Sequence, residues 1–379
     1  MQIIRHLQKA ILEQCFKGKV IVLLGARQVG KTTLMRQLQK MISKPSAWLN
    51  ADEADIFKEL SEANTSTRLM QLIGTNNQLV FIDEAQQIPN IGKKLKLLND
   101  TYPSLQVIVT GSSSFELQDK MSEPLTGRKR EFYIYPIGFG ELVDTSSILE
   151  EKRSLNQRLI FGSYPEVLNH SGNEKTALLE IANSYLYKDV LQLEGIRKAT
   201  VIQKLLQAIA LQLGHEVRYH ELSKTIGNID PTTVEKYLDI LEKAFIIYKL
   251  PTFSRIMRNE IKKGKKYYFY DNGIRNVLIS NFSSIEMRQD VGALWENYIL
   301  SERMKYIKGK GLHCDTYFWR TIDQSEIDYI EEYDGILHAH EIKWKLQKIK
   351  FPSSFINSYP DHTTQVIHRE NYDLFLGYS

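Results

Sequence analysis

The sequence predicts an α/β fold that begins with a parallel sheet covered by helices. It predicts a helical, winged-helix-like region next and a further α/β region at the end. Three observations carry this. "KVIVLLG" (19–25), "SAWLNAD", "QLVFIDEA" and "LQVIVTGS" are short apolar runs separated by helical patterns. Strands that alternate with helices pair in parallel, and near-continuous apolar runs mark strands buried on both faces. Residues 199–250 then read as three short helices, followed by a hairpin pattern in "SRIMRNEIKKGKKYYFYD". Beyond about 268, a helix near 290–306 precedes several strands.

The elements follow in order. Residues 1–16 place Ile4, Leu7, Ile11 and Cys15 at helical spacing. The four apolar runs come next, and "EFYIYPIGFGEL" closes the first domain near 145. Residues 150–200 read mainly as helix, interrupted by "GSYPEV". In "DPTTVEKYLDILEKAFII", Asp230 suits a helix cap and Pro231 the first helical position. The domains expected are 1–145, 146–267 and 268–379.

Composition bounds the function. The 379 residues are 42% hydrophobic and 25% charged, as in ordinary soluble globular chains. A net charge of +4 is too mild to assign a nucleic-acid partner. Cys15 and Cys314 give neither a disulfide framework nor a metal-ligand spacing. No apolar run approaches the length of a membrane span, and the first residues lack a signal-peptide core. A cytoplasmic protein with no membrane contact is the expectation.

The strongest motif is "GARQVGKTT". Gly25, Gly30, Lys31 and Thr32 match G-x-x-x-x-G-K-[ST], after a strand and opening a helix, the context the motif requires. The glycines let backbone N–H groups curl around phosphate oxygens, and the helix N-terminus adds its positive end. Lys31 can reach the β- and γ-phosphates of ATP, and Thr32 can hold Mg²⁺. Gln28, Val29 and Thr33 are loop neighbours. In "LVFIDEAQ", Asp83 can contact Mg²⁺ through water, and Glu84 can orient or deprotonate an attacking water. In "VIVTGSSS", Thr110 and Ser112 are candidates to sense the γ-phosphate, or merely a strand-to-loop turn.

A second feature lies in "EIDYIEEYDGILHAHEIKW" (326–344), two strands around the turn Asp334-Gly335. If Tyr333 faces Ile336, Asp328 faces Glu341 and Glu326 faces Lys343, all on one face. Opposed carboxylates about 5 Å apart repel by roughly 3 kcal/mol at an effective dielectric near 20. The arrangement is either a site for a hard cation or a mixed-charge strand in which Glu326 pairs with Lys343. His338 and His340 share the opposite face.

"GARQVGKTTL", "FIDEAQ", "VTGSSS", "LTGR", "GSYPEV", "TVEKYLDILEKAFII", "DNGIRN", "GALWENYI", "FWRT", "EIDYI" and "EIKW" occur in this order. Together they resemble a large family of prokaryotic AAA-type ATP-binding proteins. That family carries a C-terminal domain of unknown function related to the PD-(D/E)XK nuclease fold. The resemblance implies an AAA-type P-loop ATPase domain, a winged-helix middle and a nuclease-like end. It matches Arg128 to "LTGR", where an arginine acts as a finger toward a γ-phosphate, in cis or from a neighbour, or forms a surface salt bridge. It also implies a nuclease set of Asp328, Glu341, Lys343 and, from a helix, Glu296.

The middle region carries Arg255, Arg258, Lys262, Lys263, Lys265 and Lys266 on its hairpin (255–266) against one acid, Glu260. Such a strip could grip DNA phosphates without reading sequence. The helix before it carries Glu235, Lys236, Asp239, Glu242 and Lys243, a poor face for reading bases. The sequence thus points to a Mg²⁺-dependent ATP-binding protein that hydrolyses ATP. The alternatives are an ATP-regulated DNA nuclease and a non-catalytic switch that docks a protein partner, with oligomerisation open.

Overall fold

The computed structural model describes residues 3–111, 125–184, 199–255, 264–321 and 325–378. The chain divides into two compact units. One comprises residues 1–136 with 243–245. The other comprises 137–242 and 246–379, and so holds the expected middle and C-terminal regions together.

The first unit contains α1 (Leu7–Gln14), β1 (Val20–Leu24), α2 (Lys31–Ile42), β2 (Ser46–Asn50), α3 (Ala54–Glu62) and α4 (Ser66–Ile73). It continues with β3 (Leu79–Asp83), α5 (Ile91–Thr101), β4 (Gln106–Gly111) and β5 (Lys129–Tyr133). The strands form one parallel sheet in the order β2-β3-β4-β1-β5. β1, β3 and β4, the apolar runs of the sequence, are buried along their whole length. The edge strands β2 and β5 are largely half-buried and more polar. Thr65 caps α4 by accepting from Arg68 N at 3.2 Å. Lys94 is buried, and its ammonium donates to the carbonyls of Ser61 and Ala63, the end of α3, and to Asn64 Oδ1.

The second unit opens with α6 (Phe139–Thr145), α7 (Ile148–Arg153), α8 (Leu155–Phe161), α9 (Pro165–Asn169), α10 (Glu174–Ile181) and α11 (Ala199–Leu211). Next come β6 (Glu216–Val217), α12 (Tyr219–Thr225), α13 (Pro231–Lys243), β7 (Ile247–Leu250) and β8 (Lys265–Phe269). The strands form an antiparallel sheet, β6-β8-β7. α13 starts as expected: Asp230 Oδ1 accepts from Thr232 N at 2.7 Å, and Pro231 takes the first helical position. α14 (Asn272–Leu278) and the long α15 (Val291–Lys310) follow. The chain ends with β9 (Asp315–Arg320), β10 (Glu326–Tyr333), β11 (Ile336–Ile342), α16 (Ser353–Ser358), β12 (His362–Ile367) and α17 (Tyr372–Phe375).

β9, β10 and β11 are antiparallel neighbours, and β12 joins β11 in parallel, giving the order β12-β11-β10-β9. Asp334 and Gly335 both have positive φ, 52° and 77°, as a tight hairpin turn needs. The hairpin register runs from Tyr333↔Ile336 to Tyr329↔His340, as the sequence predicts. Against β9 the register of β10 shifts between Ile327 and Ile330, a bulge beside Asp328. A core of Phe253, Trp319, Ile327, Ile330, Leu337, Ala339, Phe351 and Phe355 covers one face of this sheet.

The motif "DNGIRN" is a structural clamp. Asp271 Oδ1 caps α14 by accepting from Gly273 N at 2.8 Å, and its Oδ2 accepts from Ser163 N at 2.7 Å. Asn276 donates to the carbonyls of Leu159 and Ile160 at 3.0 and 2.8 Å, closing the end of α8. Asn297 of α15 exchanges hydrogen bonds with the backbone of Phe269 at 2.7 and 3.1 Å.

Candidate functional site

Two constellations stand out, one in each unit. The first lies at the carboxyl end of the parallel sheet, where open α/β sheets bind ligands. Gly30 caps α2 with φ 94°, and Gln28 also has positive φ, 62°, so the loop curls as a phosphate cradle does. Gly25 is required by a close approach: a Cβ there would lie 2.1 Å from the carbonyl oxygen of Ile134. Val29 is buried, whereas Gln28 and Thr33 are exposed. Lys31 is 5% exposed, and its ammonium donates to the carbonyls of Gly25 and Ala26 at 3.0 and 2.8 Å.

Thr32 Oγ1 donates to Asp83 Oδ2 at 2.8 Å. Thr110 Oγ1 donates to Asp83 Oδ1 and accepts from Glu84 N at 3.0 Å. Asp83, at the end of β3, is therefore held from both sides, and Thr110 links it to the backbone of Glu84. Glu84 has φ 51°, and its carboxylate accepts from Gln86 Nε2. A hydroxyl and a carboxylate oxygen this close are hard oxygen donors of the kind Mg²⁺ takes, so the residues present fit that ion. Ser112 lies outside the described residues. Sequence reasoning missed Arg5, which donates to the carbonyls of Val29 at 3.1 Å and Tyr135 at 2.6 Å and so fastens the loop. No local motif marks it.

Arg128 is not part of this cluster. It lies just before β5, where its carbonyl accepts from Val20 N at the start of β1. Its Nε donates to Asp100 at 2.6 Å, and both side chains are about 40% exposed. β1 runs from Val20 to Leu24 between Arg128 and the loop, so roughly 16 Å of strand separates them. Arg128 thus sits at the opposite end of β1 from the loop, in an exposed pair with Asp100.

The second constellation joins three of the residues expected there, Asp328, Glu341 and Lys343, while Glu296 meets Tyr268 and Lys266. Lys343 Nζ lies 2.7 Å from Asp328 Oδ2 and 2.7 Å from Glu341 Oε2. Asp328 Oδ2 also accepts from Ile342 N at 2.8 Å. Glu296 of α15 accepts from Tyr268 Oη at 2.5 Å. Burial and then the neighbouring Asp328 push the Glu341 carboxyl up to about 7, against Lys343. Burial pushes Glu296 up to about 7 as well, with Lys266 opposing and Asp328 adding. Burial works against the Lys343 ammonium, but Asp328 and Glu341 outweigh it and raise its pKa.

Two expectations are corrected here. Glu326 does not pair with Lys343; it accepts from Lys266 at 2.5 Å and lies 3.6 Å from Arg320. Lys266 is not a surface cation of the basic hairpin; it is 1% exposed. Lys265 pairs with Glu235 at 3.4 Å, and Arg255 stays 61% exposed, 3.9 Å from Glu332. Arg258, Glu260, Lys262 and Lys263 lie outside the described residues. On the opposite face of β11, His340 is buried between Tyr329 and Phe375, with ring centroids 6.0 and 4.8 Å away. His338 stacks on Tyr333. Among the described residues, no three His, Cys, Asp or Glu side chains converge on one point. Asp328 and Glu341 do converge on the Lys343 ammonium, so two carboxylates face one cationic position.

Comparisons with known proteins bear on the domain that holds the first constellation. Residues 17–143 match a family described as "AAA domain". Residues 152–285 and 291–377 match two domains of unknown function, DUF8612 and DUF4143. An uncharacterized protein of Mycobacterium tuberculosis is 29% identical over 338 residues, covering 86% of this chain and 70% of its own length. One of Haemophilus influenzae is 25% identical, covering 84% of this chain and 81% of its own. A Walker-type ATPase of Pyrococcus abyssi superposes with a TM-score of 0.50 at 19% identity, over 73% of this chain and 96% of its own. Among the described residues, no helix is long and apolar enough to cross a membrane. The N-terminal unit carries an AAA-type ATPase-like domain.

Proposed function

We propose that this protein is a Mg²⁺-dependent cytoplasmic ATPase whose nucleotide controls the second unit. The observation that carries the reading is the chain of hydrogen bonds Thr32–Asp83–Thr110–Glu84 beside the Gly25–Thr32 loop. Backbone N–H groups of the loop and the first turn of α2 would receive the phosphates. The Lys31 ammonium would exchange two carbonyls for the β- and γ-phosphate oxygens. Thr32 and Asp83 would hold Mg²⁺, which would offset the charge of the phosphates. Glu84 would accept a proton from the attacking water, and Thr110 fixes the backbone from which it acts.

The test is ATP turnover beside binding of a non-hydrolysable analogue. Lys31→Ala is expected to abolish binding. Glu84→Gln is expected to keep binding and lose turnover by on the order of 10²-fold or more. Equal turnover in wild type and Glu84→Gln would remove that role from Glu84, and binding without turnover in wild type would favour the docking switch. Arg128 acts, on this reading, only toward the nucleotide of a neighbouring copy, which makes the working form an oligomer.

A second reading rests on the other constellation. A helix, three antiparallel strands, a helix and a parallel strand, with an acid on β10, an acid and a lysine two apart on β11, and a glutamate on the helix, accord with a PD-(D/E)XK nuclease. Asp328 and Glu341, with Glu296 near, would hold a divalent cation that activates water when bound. Lys343 would stabilise charge developing on a phosphate. The three helices and sheet β6-β8-β7 support a winged-helix-like module that brings DNA near through Arg255. Incubating single-stranded, duplex and branched DNA with Mg²⁺ or Mn²⁺, with and without ATP, tests this reading. Cleavage lost in Glu341→Ala supports it, and none under any condition removes it.

A further inference from the structure

Gln86 closes the motif "FIDEAQ" and lies outside the groups assigned to phosphate, metal and water. It sits on the helical turn Ala85–Gln87 that follows β3. Gln86 is 5% exposed, whereas Glu84 is half-buried. Its Nε2 donates to Glu84 Oε2. Of the two ends of an amide, only the NH₂ can face the ionised carboxylate that a general base must carry.

The backbone of Glu84 is fixed in several ways. Its N–H donates to Thr110 Oγ1 at 3.0 Å, and its carbonyl accepts from Gln87 N at 3.0 Å. Its φ of 51° is a conformation that a residue with a side chain keeps only when its surroundings impose it. Gln87 Nε2 donates to Asp52 at 3.2 Å, just beyond β2, and Ala51 N donates to the Asp83 carbonyl at 3.0 Å. The turn is thus tied to the strands on either side of β3. What this frame leaves loose is the long Glu84 side chain, whose rotamers no backbone bond selects.

Gln86 supplies that restraint. A neutral amide orients a carboxylate with a hydrogen bond alone, whereas a lysine or arginine would also pair its charge. We infer that Gln86 is a positioning residue for hydrolysis: it holds Oε2 of Glu84 so that Oε1 is presented to the attacking water. This rests on the role of Glu84 as base proposed above. Geometry of this kind acts on the chemical step and not on nucleotide affinity.

The test is turnover of ATP with Mg²⁺ by the full chain, beside affinity for a non-hydrolysable ATP analogue. Gln86→Met keeps the length and bulk of the side chain and removes the donor. It is expected to lower kcat about tenfold, with KM for ATP and analogue affinity within about twofold of wild type. Added to Glu84→Gln, it is expected to lower turnover no further, because the base it positions is gone. Should Gln86→Met fail to fold, Gln86→Asn serves: its amide is one methylene too short to reach Glu84, and the same loss of kcat is expected. Unchanged kcat in the folded variant would overturn the inference while leaving Glu84 as the base. So would an equal loss in the Glu84→Gln background, or a fall in analogue affinity that matches the fall in turnover. Wild-type protein without turnover, or Glu84→Gln as active as wild type, would overturn the role of Glu84 and this inference with it.

Discussion

The phosphate-loop end of the first sheet and the carboxylate site of the second unit are both polar, but different forces hold them. The first is built on backbone. A helix N-terminus, two residues with positive φ and a glycine under Ile134 fix the loop, and hydroxyl groups rather than opposite charges pin Asp83. The second is built on side-chain ion pairs. Lys343 pairs with Asp328 and Glu341, and Lys266 with Glu296 and Glu326, across β8, β10, β11 and α15. A backbone-built site should be broken by shape, and a charge-built site should be tuned by protons and salt.

The sharpest break is steric. Gly25→Ala would drive a methyl group to 2.1 Å from the carbonyl oxygen of Ile134, whose own N–H donates to Leu24 at 2.7 Å. β5 would have to shift from β1, at a cost of about 3 kcal/mol by analogy with other overpacked sites. Urea unfolding should show that loss, and nucleotide binding should vanish with it. A Gly25→Ala protein with wild-type stability and binding would mean the loop is not held as described.

The second prediction contrasts the two faces of β11. His340 is buried among Tyr329 and Phe375, with Glu331, Arg303 and His338 as its charged or titratable neighbours. Burial pushes its pKa down to about 4. Between pH 6.5 and 4 the unfolded chain binds a proton there that the folded chain refuses. The contribution is therefore present above 6.5 and lost as pH falls through 4, on the order of 3 kcal/mol. On the other face, Glu296 and Glu341 are raised to about 7, so their contribution is present below about 4.5 and lost as pH rises through 7. The two trends oppose each other in wild type. His340→Phe should remove only the acid-side loss, so the stability difference from wild type should grow as pH falls. A difference independent of pH would show that His340 is not held neutral by burial.

How much was legible in the sequence follows the same division. The loop, Asp83, Glu84 and Thr110 were readable because they sit in contiguous motifs at strand ends, and one parallel sheet brings strand ends together. The Asp328–Glu341 pairing was readable because Asp334-Gly335 fixes the hairpin register. Lys266 was misread because a run of lysines looks like a solvated strip, and only the tertiary fold shows that alternation on β8 turns one of them inward. Glu326 was misplaced for a related reason. Hairpin register names its cross-strand neighbour but not Lys266, which arrives from another sheet, nor the bulge between Ile327 and Ile330. Arg5 was invisible, since an arginine that binds two distant carbonyls leaves no local pattern.

The smallest expected effect concerns the far end of the first sheet. Arg128 and Asp100 form a pair about 40% exposed on each side, and such pairs contribute little because water screens them and two side chains must be ordered. Arg128→Ala should change stability by less than about 1 kcal/mol. Turnover is the more telling readout. Because β1 separates Arg128 from the phosphate loop of its own chain, loss of the side chain should leave dilute, monomeric protein unaffected. Any deficit should emerge only as protein concentration rises and neighbours meet. A deficit of equal size at every concentration would mean that Arg128 acts within its own chain, and that the fixed, backbone-built character assigned to this sheet is wrong at that end.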